Sequence, residues 1–285
     1  MINQGKPMST LDVPGARLYY ETHGSGPLLV MIPGASGTAD GFRRVAEHLG
    51  AHYTVALYDR RGFSRSRLTG EQDYDRRLET DADDVRRLID HLSDEPATVF
   101  GASSGAIIAL TVLTRHPSVV HALVPFEPPA VRLLPDGQKW VDFFLGVYDL
   151  YRRSGVEPAL TRFREEAFVE SDRLAMANAT DSNKSEQTLA NAVYWFEHEL
   201  RQYPTVDLDL DTLTAHADRI LPAAGRESHG YPCGEVNVEL GKKLGRQVIE
   251  LPGGHVGAMT QPAQFATELV QALPQRADTD DHSLR

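Results

Sequence analysis

Residues 97–109 read ATVFGASSGAIIA: a short apolar run, two glycines bracketing Ser103 and Ser104, then an Ala/Ile-rich stretch. A core needs no hydroxyl at such a junction, and an ordinary surface turn would not lead into so apolar a helix. Gly101–Gly105 matches G-x-S-x-G with Ser103 at its centre. To lift a hydroxyl above the edge of a sheet, the chain must turn sharply from strand into helix, which forces the central serine into strained backbone angles. Side chains two residues to either side would collide in that turn, so small residues stand there. The helix that follows points its first N–H groups and its positive dipole end at any oxyanion formed on Ser103. The pattern predicts a nucleophilic Ser103, with Ser104 offering its backbone N–H; the competing reading is a structural Ser/Gly turn.

Outward from this junction, strands and helices alternate. ARLYYETHG and LLVMIPG read as strands, DGFRRVAEHLG as a helix, YTVALYD as a strand, and DADDVRRLIDHL as a helix with acidic residues in its first turn. After the serine segment, VVHALVPFE is a strand ended by Pro128 and Pro129. Such alternation predicts an α/β fold with a mainly parallel sheet flanked by helices. Between about Ala130 and Leu210 the helical spacing of KWVDFFLGVYDLYRRSG, PALTRFREEAFV and EQTLANAVYWFEHELRQY has no strand between, which predicts an inserted helical lid. The insertion leaves from the C-terminal end of a strand, where open α/β sheets hold ligands. DRILPAAG, GEVNVELGKKLG, RQVIELPGG and PAQFATELVQAL then resume the alternation. The expected organisation is a core over 1–129, the lid over 130–210, the rest of the core over 211–275, and a flexible polar tail over 276–285.

Composition limits the partners. The 285 residues are 41% hydrophobic and carry a formal net charge of −11, so the chain has no electrostatic reason to seek nucleic acid or anionic lipid. Its single cysteine, Cys233, can form no internal disulfide. The start MINQGKPMSTLDVPG lacks the apolar segment of a secretory signal, and no run approaches a membrane span. A cytoplasmic protein acting on a small molecule, without metal or cofactor, is the expectation. No two histidines stand at metal-ligand spacing with a carboxylate between them.

These segments together resemble the α/β-hydrolase-fold superfamily over essentially the whole chain. IPGAS (32–36) stands where that family has its His-Gly oxyanion loop, with Pro33 in place of His; YDRRGFSRS (58–66) resembles its D-x-R-G-x-G-x-S turn, with Ser64 in place of the second Gly; PGGHVG (252–257) resembles the segment carrying the catalytic histidine. The resemblance implies an oxyanion hole from the N–H groups of Ala35 and Ser104, and a turn-holding role for Asp59.

A serine hydroxyl needs a base. His255 follows a strand and is preceded by Gly253 and Gly254, which free the backbone to aim it, whereas His48, His91 and His198 lie in helices. The base in turn needs a carboxylate. In most of the family the acid follows the strand after the lid, where this chain has Ser228 with Glu227 one residue early; a second branch places it after the strand before the lid, where PFEPP offers Glu127. A carboxylate at a buried strand end wants a cationic or hydrogen-bonding partner, which an imidazolium supplies. Glu127 is preferred and Glu227 is the alternative.

Serine at this position disfavours the dehalogenase and epoxide-hydrolase chemistry of the fold, which uses an Asp nucleophile, and favours acyl transfer through an acyl-enzyme. The lid aromatics, among them Trp195, Phe196 and Phe144, are expected to hold a hydrophobic or aromatic substituent of an ester or lactone; packing within the lid and a homodimer surface are their other uses. S-S-G-A, an acid before proline, and P-G-x-H also resemble the fungal zearalenone lactonases, which open a macrocyclic lactone. Where those have a substrate-contacting Trp before R-x-Y-P, this chain has Glu199 before Arg201-Gln202-Tyr203-Pro204. Ligand receptors and cofactor-free oxygenases of the same fold are the alternative class. Cys233 at a helix start lacks a paired histidine and is not expected to be a nucleophile.

Overall fold

The alternation of side chains along one strand sets the layers. In the computed structural model, which describes residues 9–179 and 185–274, β3 is buried along its whole length. Its Leu28, Val30 and Ile32 pack on one side and its Leu29 and Met31 on the other. A strand apolar at every position has both faces covered.

The sheet has nine strands. β1 (Ser9–Val13), β2 (Ala16–His23), β3 (Leu28–Ile32), β4 (Thr54–Tyr58), β5 (Arg67–Leu68), β6 (Ala97–Ala102), β7 (Val120–Phe126), β8 (Ala223–Gly225) and β9 (Ile249–Leu251) run in the order β1-β2-β4-β3-β6-β7-β8-β9, with β5 beside β2. Pairing is parallel from β4 through β9 and antiparallel for β1, β2 and β5. The serine segment therefore leaves β6, one of the central strands, with the oxyanion loop after its neighbour β3 and the lid after its neighbour β7.

The helices are α1 (Arg43–Leu49), α2 (Arg77–Leu92), α3 (Ser104–Arg115), α4 (Gly137–Ser154), α5 (Val156–Ala167), α6 (Glu170–Ala179), α7 (Glu186–His198), α8 (Leu210–Ala215), α9 (Pro232–Leu244), α10 (Gly257–Thr260) and α11 (Pro262–Ala272). One face of the sheet is covered by α2, α3 and α9 through Val85, Ile108 and Leu240, and the other by α1 and α11 through Val45 and Phe265. α4 through α7 form the insertion between β7 and β8, with an apolar core of their own around Phe144, Phe163, Trp195 and Phe196. α8 returns to the core, where Leu213 packs with α3 and α9.

The fold class agrees with the sequence reading. The differences are β1, β5, α6 and α8, which the sequence reading did not separate out, and β8 and β9, which shrink to three residues each. The tail expected over 276–285 lies outside the described residues. Among those described, no helix is long and apolar enough to cross a membrane.

Candidate active site

The turn from β6 into α3 is as tight as the glycines imply. Ser103 sits at φ 54°, ψ −124°, a backbone region costly for a residue with a side chain. A Cβ on Gly101 would lie 2.2 Å from the Gly105 carbonyl oxygen, and one on Gly105 would lie 2.2 Å from that of Ile32. Gly105 thus lets α3 start against the end of β3. The Ser103 N–H is tied to the Phe126 carbonyl at 2.9 Å, which anchors the strained residue to β7.

The next residue of that strand end is Glu127, itself at positive φ (49°) and buried. Its Oε2 lies 2.6 Å from His255 Nδ1, and its Oε1 accepts the Gly225 N–H at 2.7 Å. Both oxygens of a buried carboxylate are thereby answered, which offsets its desolvation. With Nδ1 engaged, Nε2 is left as the nitrogen able to take a proton. His255 and Ser103 line the same cavity.

Glu227 is exposed; its carboxylate accepts from Ser171 of the lid at 2.7 Å, while its N–H is held by the Gly253 carbonyl. The strand end that carries the acid in most of the resembled family here contributes the Gly225 N–H to Glu127 instead. Cys233 is buried, and burial with Glu127 and Asp172 nearby holds its thiol well above its ordinary range.

Ser104 and Ala35, the two residues expected to donate their N–H groups to an oxyanion, both lie beside Ser103. Ser104 is the first residue of α3, so its N–H has no intrahelical acceptor. Ala35 lies on the cavity wall, and a Cβ on the preceding Gly34 would be 2.9 Å from Ser103 Cβ, so the loop rests against Ser103. Asp59 holds the neighbouring turn: it accepts from the N–H of Ala39 and of Arg65 at 2.8 and 3.0 Å. Ser64 stands at φ 45° where the resembled motif has glycine; Asn191 of α7 accepts its N–H at 3.0 Å and donates to its hydroxyl at 2.8 Å, fixing the strained residue from the lid.

The cavity encloses about 490 Å³, enough for a drug-sized molecule. Its lining includes the apolar Phe126, Phe163, Phe168, Met176 and Met259 and the polar Ser64, Gln187, Thr188 and Asn191. Trp195, Phe196 and Phe144 do not line it, which corrects the expectation that they hold the substrate. All three are buried in the lid core: Trp195 and Phe144 pack on the far side of Phe163, at 5.2 and 6.1 Å between ring centroids, and Phe196 stacks on Tyr151 at 4.4 Å. Composition marks α7 as aromatic, but only its placement shows that Gln187, Thr188 and Asn191 meet the cavity while Trp195, a turn beyond Asn191, meets Phe163.

Two lid residues near the histidine carry no signal in the sequence. Phe168 packs on the His255 ring at 4.6 Å. Asp172, at the start of α6, is buried, and its carboxylate accepts the N–H groups of His255 and Val256 at 2.7 and 3.1 Å. Burial raises its pKa above the ordinary aspartate range. Nothing in the spacing of ESDRL marks this aspartate, because its partners are backbone groups more than eighty residues away.

A serine on a strained strand-to-helix turn, a histidine held by a buried glutamate, and a lidded cavity over the C-terminal edge of a parallel sheet define the class. The chain belongs to the alpha/beta hydrolase fold family of hydrolases, whose family description matches residues 27–208. It is 36% identical over 281 residues to an uncharacterized hydrolase, YraK, of Bacillus subtilis, covering 95% of this chain and 96% of that one. It is 32% identical over 117 residues to a zearalenone hydrolase of Cladophialophora bantiana, covering 40% of this chain and 44% of that one. The crystal structure of an enol-lactonase from Burkholderia xenovorans superposes with a TM-score of 0.69 at 18% identity, covering 93% of this chain and 99% of that one.

Proposed function

We propose that this hydrolase cleaves a carboxylic ester or lactone bearing a hydrophobic or aromatic group, through an acyl-enzyme on Ser103. The observation that carries the reading is the 2.6 Å contact of Glu127 with His255 Nδ1, on a histidine that shares its cavity with the strained Ser103. Ser103 Oγ attacks the carbonyl carbon and its proton passes to His255 Nε2, while Glu127 stabilises the imidazolium. The carbonyl oxygen becomes an oxyanion, which accepts from the N–H groups of Ala35 and Ser104. Collapse breaks the bond to the alcohol oxygen, which takes the proton from His255; in a lactone the alcohol stays tethered to the acyl group. Water, deprotonated by His255, then releases the acid and restores Ser103.

The apolar lining residues Phe126, Phe163, Phe168, Met176 and Met259 support a hydrophobic acyl or ring substituent. The local similarity to a zearalenone hydrolase supports including lactones. The test is turnover of p-nitrophenyl esters of graded acyl size and of lactones, with labelling by a fluorophosphonate, using Ser103→Ala as the blank. Turnover and labelling that both vanish in the variant are expected. A wild-type protein that shows neither is a ligand receptor or an oxygenase of this fold, and the hydrolytic reading fails.

A further inference from the structure

Behind the oxyanion loop lies a group of charges that the proposed chemistry does not use. Arg60, just past β4, is completely buried. Its Nη2 donates to the Gly34 carbonyl at 2.8 Å, and its two terminal nitrogens donate to Glu199 of the lid at 2.9 and 2.8 Å. Arg77 also donates to Glu199, at 2.9 Å; Asp81 receives Arg60 at 3.3 Å and the Tyr203 hydroxyl at 2.7 Å. Two guanidinium groups and two carboxylates leave the cluster formally neutral. Stability alone is a weak reason to bury such a set, since apolar residues of similar volume often serve as well or better.

The contact at Gly34 supplies a reason. The Gly34 carbonyl and the Ala35 N–H belong to one peptide unit, and in a trans peptide they point in opposite directions. The described chain contains no cis peptide. A group that grips the carbonyl therefore fixes the direction of the N–H on the other side. Arg60 grips it with a charged donor, and the Gly37 N–H grips the same oxygen at 2.9 Å. A charge-assisted bond to the carbonyl also draws electron density toward oxygen and makes the N–H a stronger donor. The neighbouring Arg61 is spent elsewhere, on Asp84, Gln72 and the Pro14 carbonyl, so the two arginines are not interchangeable.

We infer that Arg60 is a positioning residue of the oxyanion hole, holding the Gly34–Ala35 peptide with its N–H toward Ser103, and that Glu199 of the lid holds Arg60 in turn. This rests on the reading of Ser103 as an acyl-transfer nucleophile and adds to it a direct mechanical link from lid to oxyanion hole. The segment that ends α7 thus does more than cover the cavity. With the lid in place, Arg60 is oriented; without Glu199, it loses the two bonds that aim its guanidinium at Gly34 and keeps Asp81, at 3.3 Å, as its anionic partner.

The test uses the full chain and two variants, the double variant Arg60→Met/Glu199→Met, which removes one charge of each sign, and Arg60→Lys. For each, kcat and KM on a p-nitrophenyl ester, the melting temperature, and inhibition by phenylboronic acid are measured. The boronic acid adds Ser103 Oγ to boron, with the hydroxyl proton passing to His255, and places a hydroxyl oxygen of the anionic tetrahedral boronate in the hole. Both variants are expected to lose about 10- to 100-fold in kcat, the range of a weakened oxyanion donor, with KM within about threefold of wild type. Boronate affinity should fall in the same ratio as kcat. If the double variant does not fold, Arg60→Lys carries the test. A folded variant that keeps wild-type kcat and boronate affinity overturns the inference. So does one whose melting temperature and KM change while boronate affinity does not. A wild-type protein inactive on every ester and unlabelled by a fluorophosphonate is a different failure, that of the hydrolytic reading itself.

Discussion

Glu127 Oε2 stands 2.6 Å from His255 Nδ1, although the two residues are 128 positions apart. One follows the strand before the lid and the other follows the last strand of the sheet, so the lid is spliced between the two residues. The other glutamate that the sequence offered, Glu227, bonds to Ser171 and is exposed. Replacing Glu127 by Gln keeps the shape but removes the charge that favours the imidazolium; with its carbonyl oxygen held by the Gly225 N–H, the amide turns its NH2 toward Nδ1 and forces the wrong tautomer. Glu127→Gln is expected to lower kcat by about 10³- to 10⁴-fold. Glu227→Gln should leave kcat unchanged. Steady-state kinetics of both variants on one ester decides between them; equal losses, or the reverse order, would remove Glu127 from the acid's place.

The Ser103 turn can be tested by its glycines without touching Ser103 itself. Gly105→Ala would put a methyl group 2.2 Å from the Ile32 carbonyl oxygen and 2.8 Å from that of Pro33, both main-chain atoms. Neither can move without shifting β3, so an overpacking cost of about 2 kcal/mol or more is expected. Gly41 has no atom within 4 Å of its would-be Cβ, and Gly41→Ala should change stability by less than about 0.5 kcal/mol. Urea denaturation of the two variants measures the contrast. Equal stability would mean that α3 does not start as close to β3 as described.

The range of each interaction decides whether the sequence records it. The G-x-S-x-G turn and the parallel sheet are local in origin: glycine at a crowded corner and apolar runs at strand period leave marks within ten residues. The contact of Glu127 with His255 was also within reach, through the resemblance to a branch of the fold with its acid at that strand end and because a carboxylate between Phe126 and Pro128 needs a partner, though Glu227 stayed open beside it. The cavity walls were not legible. Trp195 and Phe168 are both large lid aromatics, and which one meets the cavity depends on how α5, α6 and α7 pack. Asp172, Asn191 and Arg60 escaped for the same reason. Their partners are main-chain groups or side chains brought close only by the lid's placement, and no spacing rule captures that.

The two lid aromatics should therefore separate binding from stability. Phe168 touches the His255 ring and lines the cavity. Phe168→Ala is expected to lower kcat/KM for a bulky aromatic ester by about tenfold, in keeping with the apolar surface that the phenyl ring covers on binding, and to affect an acetyl ester less. Trp195→Phe removes packing behind Phe163, so it should lower the melting temperature and leave the KM ratio of the two esters unchanged. A selectivity change in Trp195→Phe that matches or exceeds that of Phe168→Ala would return Trp195 to the binding surface.

Asp172 gives a pH dependence whose sign follows from its burial. Its carboxylate accepts two backbone N–H groups of the His255 loop, yet desolvation outweighs them and raises its pKa above the ordinary aspartate range. A group whose folded pKa is raised binds its proton more tightly in the folded state. Its contribution to stability is then fully present below the unfolded pKa and is lost as pH rises through the folded value. Asp172→Asn removes that titration. Between about pH 4 and pH 7, across the carboxylate range, wild type should lose stability relative to the variant. The variant also gives up one of the two acceptors that hold the His255 loop, so kcat should fall at every pH. Denaturant unfolding of both proteins at several pH values, beside kcat at each, separates the two effects. A stability difference that stays constant over that range would show that Asp172 titrates as an ordinary surface aspartate, and its hold on the histidine loop would then need another explanation.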